Sequence, residues 1–416
     1  MQKKLIAAMV MLAVNHGANA ADNDWLKFSG FGTLGVVHSS DKGADFRNNI
    51  EQTSGAGLSN KLDSGVDSVF GAQADVQIAP GLTGTAQVVT RRMSDYNSTK
   101  PAFEWANLKY QVTRDLFVRG GRIVAPMFMI SESRMVGYSQ TAVRPIGEVY
   151  LINPITYLNG GDVGYRFEAG QVLYKIGAAA GNLSQEITSG AVKSNYRFKN
   201  KLINASAEYN GSTVRLGYAR LNTDVKSDTL SAYDAALAQL VANNVANAAT
   251  VQANTVHTGL KIDFYNLGYV YDRNEWLLEA EYGARRIDKD SIVDMDGFWL
   301  LAGYRIGKWT PYLSWSHMAH KSAISFPAVD TSSLDANSAA AKTYSDVSNN
   351  FMQRFDRTNV GAGIRWDILD NVALKAQVER IDKGPGGTAY FVNGSSEFFA
   401  NQRKVNVYSA TLDFVF

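Results

Sequence analysis

Residues 405–416 alternate with a period of two. Tyr408, Ala410, Leu412, Phe414 and Phe416 fall on one side of an extended strand, and Val407, Ser409, Thr411, Asp413 and Val415 fall on the other. Successive side chains of a strand point to opposite faces, so one face suits hydrocarbon and the other suits water. The same alternation recurs upstream. Phe70, Ala72, Ala74, Val76 and Ile78 alternate with Gly71, Gln73, Asp75 and Gln77. Trp276, Leu278, Ala280 and Tyr282 alternate with Leu277, Glu279, Glu281 and Gly283. Val360, Ala362, Ile364 and Trp366 alternate with Asn359, Gly361, Gly363 and Arg365. About sixteen such segments are expected along the chain, an even number as in single-chain outer-membrane barrels.

A soluble sandwich also alternates, but its connections are not sorted by length. Here tight turns sit near Pro80-Gly81, Arg114-Asp115, Ala169-Gly170, Asn210-Gly211, Arg273-Asn274, Gly307-Lys308 and Leu369-Asp370. Between them lie longer excursions near 38–63, 93–101, 123–160, 182–200, 223–254, 288–296, 319–352 and 382–401. An up-and-down meander puts every second connection at the same end, giving short periplasmic turns and long external loops. The expected fold is all-β: a 16-stranded antiparallel transmembrane β-barrel. A barrel of that size leaves an aqueous channel, which solvates the inward charges Lys109, Arg119, Asp162, Glu281, Lys375 and Glu379. Trp25, Tyr209, Tyr218, Trp299, Tyr304, Trp309 and Tyr312 are expected in the interfacial girdles.

Residues 1–20 read as a signal peptide: Lys3 and Lys4, an apolar run from Leu5 to Val14, and the small-residue site Ala18-Asn19-Ala20. The apolar run is too short for a spanning helix, which needs about 20 residues. Residues 21–416 then form one domain. Removing Lys3 and Lys4 leaves 39 basic residues against 39 acidic ones. A neutral chain argues against a nucleic-acid partner. With no cysteine, disulfides and thiol chemistry are excluded.

The connection near 123–160, the longest by this reading, is unlike a solvated loop. It carries Met127, Phe128, Met129, Ile130, Val136, Val149, Tyr150 and Leu151, so it is expected to fold inward against the barrel wall. Its charges are Glu132, Arg134, Arg144 and Glu148. Facing Arg91, Lys109 and Arg119 on the wall, they are expected to set a transverse field at a constriction, and selectivity in pores comes from diameter, lining groups and such barriers. Ser231–Gln252 is rich in alanine and leucine. A helix is expected there within the long external loop 223–254, with Ser231 as N-cap and Asp234 three residues on.

The chain resembles the Gram-negative general porin family over essentially its whole mature length. Trp25–Val37, Leu267-Gly268-Tyr269-Val270-Tyr271-Asp272, Glu279-Ala280-Glu281-Tyr282 and Gly303–Tyr312 carry the resemblance. It implies a homotrimer of 16-stranded barrels in the outer-membrane bilayer, with the third external loop folded into the lumen. It also implies that Phe414 and Phe416 address the outer-membrane assembly machinery. The function so implied is passive diffusion of small hydrophilic solutes and ions, without cofactor or chemistry. The Pro-Glu-Phe-Gly-Gly-Asp run of the enteric branch is absent here; Arg144-Pro145-Ile146-Gly147-Glu148 stands nearest to it.

Other readings have less behind them. A channel preferring a sugar or an organic anion is the main alternative. A barrel hydrolase would need a nucleophile–base constellation, and His38, His257, His317 and His320 sit in no such motif. Gly30-Phe31-Gly32-Thr33-Leu34-Gly35 matches a dinucleotide fingerprint by letter but lies inside a strand pattern, without the helix that the motif opens. His317 and His320 lack a third metal ligand at a recognisable spacing.

Overall fold

The computed structural model describes residues 25–416 apart from 94–98, 154, 190–191, 289–293, 322–327, 332–337 and 352–354. The expected signal peptide lies outside the described residues. The first strands are β1 (Leu26–Ser39), β2 (Asp45–Phe46), β3 (Ala56–Gly57), β4 (Val69–Ala79), β5 (Leu82–Arg91), β6 (Ala102–Gln111), β7 (Leu116–Val124), β8 (Tyr157–Ala169), β9 (Val172–Ser189) and β10 (Val192–Tyr209). They continue with β11 (Ser212–Lys226), β12 (Leu260–Arg273), β13 (Trp276–Ile287), β14 (Met295–Tyr304), β15 (Trp309–His320), β16 (Arg357–Leu369), β17 (Val372–Lys383) and β18 (Arg403–Val415). All but β2 and β3 form one closed antiparallel barrel of sixteen strands, in which β1 pairs with both β4 and β18. Closure removes every sheet edge, so each strand of the barrel satisfies its backbone on both sides.

The alternation read from the sequence is the alternation of the wall. Leu108, Leu216, Leu278, Leu313 and Val360 stand exposed on the outside. Their neighbours Lys109, Arg215, Glu279, Ser314 and Gly361 point inward. A continuous exposed apolar band of this kind needs lipid to cover it. Tight turns gather at one end; at Asn210-Gly211 both residues adopt positive φ (50° and 81°), the geometry that suits a two-residue hairpin.

Several expectations need correction. The excursion at 182–200 does not exist as a loop. β9 and β10 continue in register to Ser189 and Val192, so this hairpin rises well above its neighbours. Lys193, Asn195, Arg197, Lys199 and Lys201 alternate with less polar residues there, a polarity that resembles a loop in the sequence. The connection between β15 and β16 (321–356), rather than the one between β7 and β8, is the longest. Trp299 and Tyr312 are buried and inward-facing rather than interfacial. Phe414 does face outward, yet it is buried against Phe70 and over Gly32, where the seam between β18 and β1 closes.

The loop between β11 and β12 is helical, as expected, but the helix spans Asp228–Ala242 and its N-cap is Ser227, not Ser231. The Ser227 hydroxyl accepts from the Leu230 amide at 3.1 Å, which satisfies one of the orphan amides of the first turn. Asn244 and Asn247, both left-handed, turn the chain into a second helix, Ala248–Asn254. The helix Ala339–Phe351, from the longest connection, packs on the first, and Tyr344 stacks on Tyr233 at 5.7 Å between ring centres. Leu237, Leu240 and Val251 complete a small apolar core between the two loops.

Candidate functional site: the inner loop and the lumenal passage

The segment between β7 and β8 turns into the barrel and lies against the wall. Its apolar residues account for the docking: Met127, Phe128, Val149, Tyr150, Leu151 and Ile152 are buried together with Trp299, Leu301 and Met318 of the wall. The wall makes room with glycines. A Cβ on Gly297 would run into the Glu148 carbonyl, and one on Gly217 into the Met127 carbonyl at 2.5 Å. Close backbone approach of this kind leaves no space for any side chain.

Polar anchors fix the loop in register. Arg144 donates to both oxygens of Asp67, at 2.8 and 2.6 Å, and also binds Glu379 and Ser409. Arg357 donates to Glu148 at 2.7 Å. Lys375 donates to the carbonyls of Gly137 (2.7 Å) and Ala142 (3.1 Å) and pairs with Asp413 at 3.1 Å. Arg365 reaches the carbonyls of Tyr138 and Gln140 at 2.6 and 3.0 Å. Glu281 accepts from the Met129 amide at 2.8 Å and from the Tyr150 hydroxyl. Arg144, Glu148, Arg357, Lys375 and Glu281 are buried and Arg365 partly so, and each is held there by hydrogen bonds, all but Glu281 by an ion pair as well.

The seven residues expected at the constriction therefore separate. Arg144 and Glu148 are 5% and 0% exposed; they bind the loop to the wall and do not face water. Arg91 pairs with Glu51 at 2.8 Å. Arg134 donates to the Tyr150 carbonyl at 3.0 Å and lies over its ring. Burial lowers its pKa to about 10, still protonated at neutral pH. Arg91, Arg134 and Arg144 share a cleft of about 90 Å³ between the first loop and the inner loop. Glu132, Lys109 and Arg119 come together elsewhere, around an open chamber of about 460 Å³.

That chamber lies between the free edge of the inner loop (Pro126, Met129, Glu132) and the wall from β6 to β11. Arg119 and Asp162, directly opposite each other on β7 and β8, form a two-pronged pair at 2.9 and 2.7 Å. Lys109 lies over the Phe117 ring at 5.2 Å. Arg215 donates to the Pro126 carbonyl at 2.8 Å and so touches the loop from the wall side. Sequence reasoning did not assign Arg215 to the passage. It also missed that Glu281, Glu379, Lys375 and Arg365 serve the loop rather than the water. The strand pattern marks inward charges; only the path of the loop decides which of them are covered.

No protein-family model matches the sequence, and no curated protein matches it. Solved structures do. OmpF of Salmonella typhi superposes with a TM-score of 0.53 at 14% identity, covering 94% of this chain and 97% of that one. The outer membrane channel DcaP of Acinetobacter baumannii gives 0.54 at 9% identity, covering 96% and 100%. An anion-selective porin from Comamonas acidovorans gives 0.51 at 12% identity, covering 94% and 99%. The fold is that of the 16-stranded outer-membrane porins. At such identities the likeness concerns the fold.

Proposed function

We propose that this protein is an outer-membrane porin, a water-filled channel through which small hydrophilic solutes and ions diffuse passively. The observation that carries the reading is the charged, open chamber beside the inner loop, inside a barrel whose outer face is apolar. Water in the chamber solvates Lys109, Arg119 and Glu132, which no dry core would tolerate. The inner loop narrows the lumen from the β11–β18 side, and Glu132 faces Arg119 and Arg215 across what remains, close enough to act on both electrostatically. Polar solutes keep partners throughout such a passage, whereas apolar ones lose hydration without compensation.

The long loops are external and the tight turns periplasmic. Export uses residues 1–20 as a cleaved leader. Phe414 and Phe416 address the assembly machinery, and the barrel works as a homotrimer. No chemistry is assigned: His38 hydrogen-bonds the Lys61 carbonyl, and His317 and His320 contact Thr358 and Asp356.

Purified protein in a planar bilayer tests the reading. Stepwise, ohmic conductance that rises with salt is expected, and alanine at His38, His257, His317 or His320 leaves it unchanged. A folded, inserted protein that passes no current contradicts it.

A further inference from the structure

We infer that the passage is anion-selective, and that its preferred solutes are small carboxylates and inorganic anions. The inference rests on the channel reading above and adds the sign of the charge that passes. The chamber beside the inner loop is lined by six cationic side chains and four carboxylates. Three ion pairs cancel within it: Arg119 with Asp162 at 2.7 Å, Arg166 with Asp115 at 3.3 Å and Lys175 with Glu208 at 3.3 Å. What is left is Lys109, Arg114 and Arg215 against Glu132 alone.

None of those three cations has a carboxylate partner among the described residues. Lys109 is exposed to the chamber, and Arg114 stands at its short-turn mouth. The Arg215 guanidinium has only the Pro126 carbonyl, and its Nε is buried without a partner. Toward the first loop, Arg91 is cancelled by Glu51 and Arg92 by Asp63, at 2.8 Å each. Two uncancelled positive charges in a water-filled passage with low-dielectric walls attract anions and raise their local concentration, since such walls focus the field. The cations are also staggered from the mouth to the level of the inner loop, so an anion leaving one meets the next. Multi-site, moderately weak binding of this kind permits conduction rather than block.

A tenfold potassium chloride gradient across a bilayer holding the whole protein tests this. The zero-current potential is expected to carry the sign of chloride selectivity. The double variant Lys109→Glu with Arg114→Glu turns the surplus of two positive charges into a surplus of two negative ones. Neither residue holds the inner loop, so conductance persists while the sign of the zero-current potential reverses. Wild-type protein that conducts but favours potassium overturns the inference and leaves the channel reading standing. Chloride selectivity that the double variant does not alter overturns the assignment to this chamber. Absence of any current removes both.

Discussion

Arg144 offers the sharpest test of how the inner loop is held. Its guanidinium is buried between Asp67 of the first loop and Glu379 of β17, with Ser409 of β18 completing the set. The Asp67 and Glu379 charges hold its pKa above the ordinary arginine value against the opposing effect of burial, so it is charged at every accessible pH. Arg144→Ala leaves two buried carboxylates without their counter-charge. Removing one partner of a buried pair costs about 3–5 kcal/mol. The barrel itself does not depend on this residue, because its strands are hydrogen-bonded on both sides. The loss therefore falls on the docked loop, where 1.4 kcal/mol is a factor of ten. Local opening becomes about 10²- to 4 × 10³-fold more frequent. The Val143 amide, bound to the Gln377 side chain at 3.1 Å, reports it directly. Hydrogen exchange of a peptide covering 140–148 in reconstituted protein is expected to accelerate by that factor, with noisier single-channel current. Arg144→Lys recovers part of the loss, because it keeps the charge but not the two-pronged geometry. Unchanged exchange at Val143 in Arg144→Ala would refute the idea that this residue ties the loop down.

Other predictions concern separate parts of the molecule. Burial and the neighbouring Glu281 raise the Tyr150 phenol well above its ordinary value. The folded protein thus holds that proton more tightly than the unfolded chain, and the resulting stabilisation is complete below pH 10 and lost as pH rises through the folded value. Tyr150→Phe should flatten the alkaline rise in exchange of the inner loop. Gly32→Leu places a side chain where the Phe414 ring lies; overpacking costs about 1–3 kcal/mol, and a lower temperature for loss of the compact barrel band on electrophoresis checks it. Leu237→Ala empties part of the small helical core outside the barrel and costs about 2–5 kcal/mol there. Faster proteolysis of 228–254 with unchanged conductance is the expected result.

The barrel was legible because its signal is periodic and repeated in every strand, and a one-residue slip would turn each strand inside out. Leu277 and Leu278 show it: their faces follow from parity alone. The hairpin β9–β10 was misread because its outward face turns polar there, at Arg197, Lys199 and Lys201, while Tyr196, Phe198 and Leu202 keep the other face apolar, and a polar outer face resembles a loop in the sequence. The helix near Ser231 was legible in composition but its start was not, since Ser227 and Ser231 are both plausible caps and packing against Tyr344 is a long-range fact. The inner loop announced itself through its apolar content. The roles of its charges did not, because Arg144, Glu148 and Glu132 differ only in what lies opposite them. Asp67, Glu379 and Arg357 reach the loop from distant parts of the sequence, and no local pattern records that.

The central claim is that the wall is oily outside and wet inside, residue by residue. The chain has no cysteine of its own, so single cysteines can be placed at Leu108, Lys109 and Tyr110 on β6. In reconstituted protein, a charged, water-soluble thiol reagent is predicted to modify Lys109→Cys quickly and to lower its conductance. Leu108→Cys and Tyr110→Cys should resist that reagent and react with a lipid-soluble one. Equal reaction at all three positions, or fast aqueous reaction at 108 and 110 with none at 109, would contradict the account.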